Sequence, residues 1–190
     1  MKGRESGMPD ESLWTGFFDP DEVVSRLGCA GRAGDVVEFG CGYGTFTFPV
    51  AAGLAGTVHA LDIDARMVGW VERRARDEGW TNLLTAERDF MAAGTGLEGE
   101  SMVHAMLFNI LHIEEPEKLL GEAWRVLAWG GVTSVIHWRS DIPTPRGPSL
   151  DIRPSPNQCQ RWAKEAGFRS FRNLPLGDAA PWHFGLLLEK

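Results

Sequence analysis

Val36-Val37-Glu38-Phe39-Gly40-Cys41-Gly42-Tyr43-Gly44-Thr45-Phe46 is the stretch on which the reading of this chain turns. A short apolar run reaches an acid and then three glycines spaced two apart. The run predicts a buried strand, and the glycines predict a tight turn opening a helix over 45–54. Glycine suits such a turn because its backbone reaches angles closed to residues with a Cβ, and because a ligand can lie against bare main chain. A helix starting there would point unpaired N–H groups at that ligand. The spacing is G-x-G-x-G, not the G-x-G-x-x-G of dinucleotide folds, and Glu38 stands two residues before the first glycine.

Outward from this turn the chain alternates. Residues 57–64 read as a second strand, with Asp62 22 residues past Gly40. A carboxylate at that strand end meets ribose hydroxyls in nucleotide folds. Asp64 is placed to cap a helix over 65–78, whose charged side reads as a solvated face. A third strand over 83–87 leads into Arg88-Asp89-Phe90, and a glycine-rich loop follows over 92–101. A fourth strand over 102–108 ends at Asn109-Ile110-Leu111-His112. A helix over 116–127, a turn at Gly130-Gly131 and a fifth strand over 132–138 come next. Strand–helix alternation repeated five times is the mark of a parallel sheet covered on both faces, with ligands at the carboxyl ends of its strands.

The flanks are less regular. Three aromatics, Trp14, Phe17 and Phe18, precede Asp19-Pro20-Asp21-Glu22, where Asp19 caps a helix to Leu27 and Glu22 closes a capping box. These aromatics either flap over the ligand site or pack on the sheet. Residues 139–154 hold Pro143, Pro145, Pro148 and Pro154 among charges, a composition suited to a lid or binding loop. Ser155-Pro156-Asn157-Gln158 predicts a second capping box and a helix to Ala166. Segments 168–174 and 182–188 predict a closing antiparallel hairpin. The expected fold is α/β, a Rossmann-like, doubly wound, mostly parallel sheet of seven strands in one domain spanning 1–190, with a flexible start over 1–19.

At 190 residues the chain can bury a full core, and 43% hydrophobic and 24% charged residues are ordinary for a globular protein. A net charge of −7 argues against a broad nucleic-acid footprint. Cys29, Cys41 and Cys159 form no C-x-x-C, so neither a metal site nor a disulfide framework is indicated, and reduced cysteines in the cytoplasm are the simplest account. No apolar run reaches membrane-spanning length.

Taken together, the glycine motif and the stretch from Asn109-Ile110-Leu111-His112 to Arg125-Val126-Leu127-Ala128-Trp129-Gly130-Gly131 resemble the class I S-adenosylmethionine (SAM)-dependent methyltransferases, of the small kind similar to ubiquinone/menaquinone-biosynthesis enzymes. The resemblance covers roughly residues 20–190. It implies SAM as cofactor, with Glu38, Gly40, Cys41, Gly42 and Gly44 along its methionine part. It implies Asp62 on the ribose, Ile63, Asp89 and Phe90 around the adenine, and Phe108 and Asn109 near the sulfonium. The sequence departs from the family in two places. Residues 101–104 lack the aspartate with which strand four usually begins, and Trp129 replaces a proline.

Methyl transfer needs a general base only when the acceptor is a poor nucleophile. His112 and His137, at strand ends, are the candidates, with a structural histidine as the alternative for each. Trp14, Phe17, His112 and Arg146 are expected around the acceptor, and Arg146 and Arg153 either bind an acidic one or are solvated loop arginines. Phe108-Asn109-Ile110-Leu111 contains neither the Asn/Asp-Pro-Pro-Tyr/Phe motif of amino-directed DNA methyltransferases nor a Pro-Cys nucleophile. A small organic acceptor is the favoured substrate. A non-catalytic SAM-binding module and a protein or RNA methyltransferase working with a partner are the alternatives.

Overall fold

The computed structural model describes residues 9–190, so of the flexible start expected over 1–19 only 1–8 lies outside it. Seven strands build one sheet: β1 (Asp35–Phe39), β2 (Val58–Asp62), β3 (Leu83–Glu87), β4 (Met102–Phe108), β5 (Leu127–Trp138), β6 (Ser170–Leu174) and β7 (His183–Glu189). Their order is β3-β2-β1-β4-β5-β7-β6. The first five run parallel, and β7 is antiparallel to both β5 and β6. The expected mostly parallel sheet closed by an antiparallel hairpin is therefore present.

The strands alternate with period two, but both of their faces are apolar, as a doubly covered sheet requires. Val36, Met106 and Phe108 face α2 (Pro20–Leu27) and α3 (Thr47–Gly53). Val37, Phe39, Ala105 and Leu107 face α6 (Pro116–Val126) and α7 (Pro156–Ala166). α4 (Ala65–Glu78) covers β2 and β3, with Val71 packed near Phe48 and Ala60. In register, Phe39 stands beside Leu61 and Leu107, and Leu107 beside Val135. The carboxyl ends of β1, β2, β4 and β5 are thus level, and the chain order reverses between β1 and β4. That reversal leaves the crevice in which such sheets bind ligands.

Several local expectations are corrected. α3 starts at Thr47 rather than 45, because the turn uses every residue up to Phe46, the N-cap. Pro49 then falls in the first helical turn, where its missing N–H has no intrahelical partner to lose. β5 starts at Leu127, so Gly130-Gly131 lies within the strand, where the register against β4 slips and Gly130 has φ +75°. The box at Asp19 is half formed. Asp19 accepts the Glu22 N–H at 3.1 Å, but the Glu22 carboxylate is drawn 2.6 Å from Arg26 instead. At Ser155 both halves are made, with Gln158 N–H to Ser155 Oγ at 3.3 Å and Ser155 N–H to Gln158 Oε1 at 2.8 Å. Two short helices, α1 (Glu11–Thr15) and α5 (Phe90–Ala93), were not anticipated; each has too few residues for a helical period to show.

The two family departures fall at the amino ends of β4 and β5, opposite the crevice. Trp129 is 60% exposed there and meets Trp124 edge-on at 6.1 Å. Neither departure touches the ligand end of the sheet. Among the described residues no helix is long and apolar enough to cross a membrane.

Candidate active site

The glycine turn is locked to β2 before it reaches the helix. Gly40 and Cys41 both donate their N–H to Leu61 O, at 2.8 and 2.9 Å. Gly40 adopts φ +80° and Gly44 φ +78°, which a side chain strains to follow. At Gly44 a Cβ would also lie 2.5 Å from the Phe48 ring. Gly44 therefore serves the packing of α3, and it is not among the cavity-lining residues, in contrast to the expectation that it lines the methionine part.

Asp62 closes the turn from the other side. Its Oδ2 accepts the Gly42 N–H and its Oδ1 the Asp64 N–H, both at 2.9 Å. The side chain is 4% exposed, and burial raises its pKa against those two hydrogen bonds. Glu38, 2% exposed, accepts a hydrogen bond from Thr47 Oγ1. Burial pushes its carboxyl up to about 8, with the Asp62 charge adding to the rise and the Thr47 bond opposing it. Two buried carboxyls thus flank the turn, and at neutral pH Glu38 holds its proton.

One cavity of about 430 Å³ opens at this sheet end. Of the sequence-derived candidates, Glu38, Gly40, Cys41, Gly42, Asp62, Ile63, Asp89, Phe90, Phe108 and Asn109 line it, as do Trp14, His112 and Arg146. Asp89 caps α5 by accepting the Ala92 N–H at 3.0 Å, and Phe90 packs edge-on against Phe39 at 5.3 Å. Phe17 does not line the cavity. It is buried edge-on against Trp138 at 5.2 Å, while Phe18 packs on Phe46 and His183. The aromatic triplet is thus divided, two rings on the sheet and Trp14 at the cavity. His137 is fully buried behind the wall.

Asn109 has a left-handed backbone, φ +56°, unusual for a residue with a side chain. Its buried Oδ1 and Nδ2 have no hydrogen-bond partner among the described residues, and neither does Thr45 Oγ1. Both residues line the cavity, so a polar ligand would satisfy atoms that the fold leaves wanting.

The proline-rich segment forms the outer wall through Arg146, Gly147 and Pro148. Arg153, 8% exposed, turns inward rather than toward a ligand. It donates to the carbonyls of Pro148 (2.7 Å), Arg139 (2.9 Å) and Arg146 (3.1 Å) and to Thr144 Oγ1 (2.7 Å). Sequence reasoning missed Arg88, Met91, Ile113 and Trp138 at the cavity. Trp138 was detectable as the last residue of the fifth strand. Arg88 and Ile113 sit on loops and Met91 on the short helix α5, none of which carries a period.

The comparisons with known proteins agree with this geometry. Residues 36–131 match the family model described as a methyltransferase domain. A SAM-dependent methyltransferase from Aquifex aeolicus superposes with a TM-score of 0.80 at 21% identity, covering 94% of this chain and 93% of that one. Phosphoethanolamine N-methyltransferase 2 from Haemonchus contortus, solved with S-adenosyl-L-methionine, superposes at 0.71 with 16% identity over 89% and 51%. The [4+2]-cyclase SpnF superposes at 0.70 with 17% identity over 89% and 77%, so the architecture itself serves more than one chemistry. No curated protein matches the chain. With the family model spanning half the chain and the sheet order, glycine turn and strand-end carboxylate all in place, the chain belongs to the methyltransferase domain family and has the class I SAM-dependent methyltransferase fold.

Proposed function

We propose that this protein transfers a methyl group from SAM to a small-molecule acceptor, the two meeting in the cavity at the carboxyl ends of β1 and β4, and that residues 1–190 work as one domain. The observation that carries this reading is the convergence of the glycine turn, the Asp62 carboxylate and the unsatisfied Asn109 amide on one cavity. Glu38, Gly40, Cys41 and Gly42 would hold the methionine part, and Asp62 the ribose hydroxyls. Each Asp62 oxygen accepts one backbone N–H and keeps a second lone pair for a hydroxyl. Ile63, Asp89 and Phe90 would surround the adenine, with Phe108 and Asn109 near the sulfonium.

Bound SAM supplies a methyl group already activated by a cationic sulfur. The chain's part is to align the acceptor, exclude water and offer aromatic faces such as Phe108 and Trp138 to the charge. Trp14, His112, Trp138 and Arg146 remain for the acceptor. A cavity of about 430 Å³ is of small-ligand size, and the −7 charge weighs against a nucleic-acid acceptor.

Titration calorimetry with SAM and with S-adenosylhomocysteine tests the reading. Both should bind, and Asp62→Ala should weaken both by about tenfold or more, since charge-assisted hydrogen bonds are worth about 1.5–3 kcal/mol each. No heat with either ligand would overturn it.

A further inference from the structure

Charge is unevenly placed around the cavity. Its acidic residues, Glu38, Asp62 and Asp89, stand at the ends of β1, β2 and β3, on the glycine-turn side of the crevice. Past β4 and β5 the wall is Ile110, Ile113, Trp138 and Pro148, with Trp14 from α1, and the arginine there is Arg146. Among the described residues the Arg146 guanidinium makes no hydrogen bond, ion pair or ring contact. Its neighbours in the segment leave it so: Asp141 is taken by Arg139 at 2.7 Å, and Asp151 forms no ion pair among the described residues. Arg88 also lines the cavity, but it packs elsewhere. A Cβ at Gly96 would lie 2.6 Å from its Nη2, so this guanidinium covers the main chain of that loop. The main chain at Arg146, in contrast, is held in place. Its carbonyl accepts from Thr144 Oγ1 at 2.6 Å and from Arg153 at 3.1 Å, and Arg153 also donates to the Pro148 carbonyl at 2.7 Å. Between those two carbonyls Gly147, with φ +114°, lies against the Trp138 ring, where a Cβ would come within 2.8 Å. One buried guanidinium thus pins the segment onto Trp138 and leaves Arg146 at the cavity, its charge unmatched by the described residues.

We propose that Arg146 binds a carboxylate on the acceptor, and that the acceptor is a planar apolar molecule bearing that one anionic group. The inference rests on the function proposed above and names its substrate class. A guanidinium presents paired N–H donors whose spacing matches a carboxylate, and such two-point, charge-assisted bonds are among the strongest a side chain makes. The apolar body falls to Trp14 and Trp138, whose rings bury large flat areas. One guanidinium balances one negative charge, which suits a carboxylate better than a phosphate monoester carrying about −1.5 to −2 at pH 7. Asp62, on the glycine-turn side, repels the same group, so the acceptor has one favoured orientation. Its carboxylate faces Arg146, and its far end faces Phe108 and Asn109, where the proposed function puts the sulfonium.

Calorimetry on protein saturated with S-adenosylhomocysteine tests this with matched pairs: benzoate and benzamide, salicylate and salicylamide, cinnamate and cinnamamide. Each carboxylate should bind about tenfold tighter than its amide. Arg146→Gln should weaken the carboxylates by about tenfold and so remove the preference, with the amides and S-adenosylhomocysteine within about twofold of wild type. Arg146→Lys keeps the charge but loses the two-point fit, and should recover part of the preference. Amides that bind as tightly as their carboxylates overturn the inference. So do carboxylates unaffected by Arg146→Gln, and so does the absence of binding by every pair. Phenyl phosphate binding tighter than benzoate overturns it as well, by moving the class to phosphate esters. The wild-type pairs decide the matter if the glutamine variant does not fold. Failure of S-adenosylhomocysteine to bind wild-type protein sinks the methyltransferase reading and this inference with it; its binding without a preference for carboxylates sinks this inference alone.

Discussion

Glu38→Gln separates the electrostatics of the site from its shape. The Glu38 carboxyl has an ordinary value of 4.5 and titrates at about 8 when folded, chiefly because burial penalises its charge. Between those values the folded state holds a proton that the unfolded state has lost. Stability therefore falls as pH rises from about 4.5 to about 8, and is level on either side. At 1.36 kcal/mol per pH unit the span is worth roughly 5 kcal/mol. Glutamine keeps an oxygen for the Thr47 hydroxyl and cannot ionise. The variant should therefore gain on the wild type by roughly 4 kcal/mol between pH 5 and pH 8, measured as the difference in unfolding free energy from urea titrations. The buried His104, His137 and His183, each pulled to about 3 by burial, lower stability as pH drops below 6.5. They are common to both proteins and cancel in the difference. Parallel pH–stability curves would refute the argument.

Three further outcomes follow from the same geometry. With Glu38 protonated at pH 7 and the proposed function placing the cofactor's ammonium group beside it, SAM binding should expel a proton, so calorimetric heats should change with the buffer's ionisation enthalpy; equal heats in phosphate and Tris would remove that contact. Gly44→Ala should lower stability by about 2 kcal/mol or more, from a left-handed φ and a Cβ driven against Phe48, and thermal melts should show it. Arg153→Leu leaves three carbonyls without their donor, at about 1–3 kcal/mol each before water reaches them, and loosens the outer cavity wall, where the proposed function puts the acceptor. It should raise the acceptor KM with little change in S-adenosylhomocysteine affinity, and a matched loss of both would show that the segment also supports the cofactor end.

The fold and most of the residues that line the cavity at the strand ends were legible because their signals are local. Val36-Val37 fixes a strand, the spacing of Gly40, Gly42 and Gly44 fixes a turn, and Asp62 ends the next strand. Each of these depends on neighbours within a few residues. Helix ends were less secure. The sequence offers Asp19 and Glu22 as a capping box, but whether Glu22 turns back to the cap or forward to Arg26 is a competition between two nearly equal partners, and the box pattern cannot decide it. The start of β5 was missed for a related reason. Gly130-Gly131 reads as a turn in isolation, and it is the pairing of Leu127 with Met102 before it and of Val132 with His104 and Glu189 after it that carries the strand through.

What the sequence by itself determined is the α/β alternation, the family and the residues that meet at the carboxyl ends of the strands, since periodicity and glycine spacing act at short range. What only the tertiary structure decided is how the outer part of the cavity is built. Trp14 lines the cavity while Phe17 packs beneath it on Trp138. Arg153 is spent on carbonyls while Arg146 borders the cavity. His137, 25 residues from His112, reaches it with a hydrogen bond. These assignments depend on contacts between segments far apart in the chain, whose geometry is set by the sheet order and the level strand ends, and no local pattern carries that information.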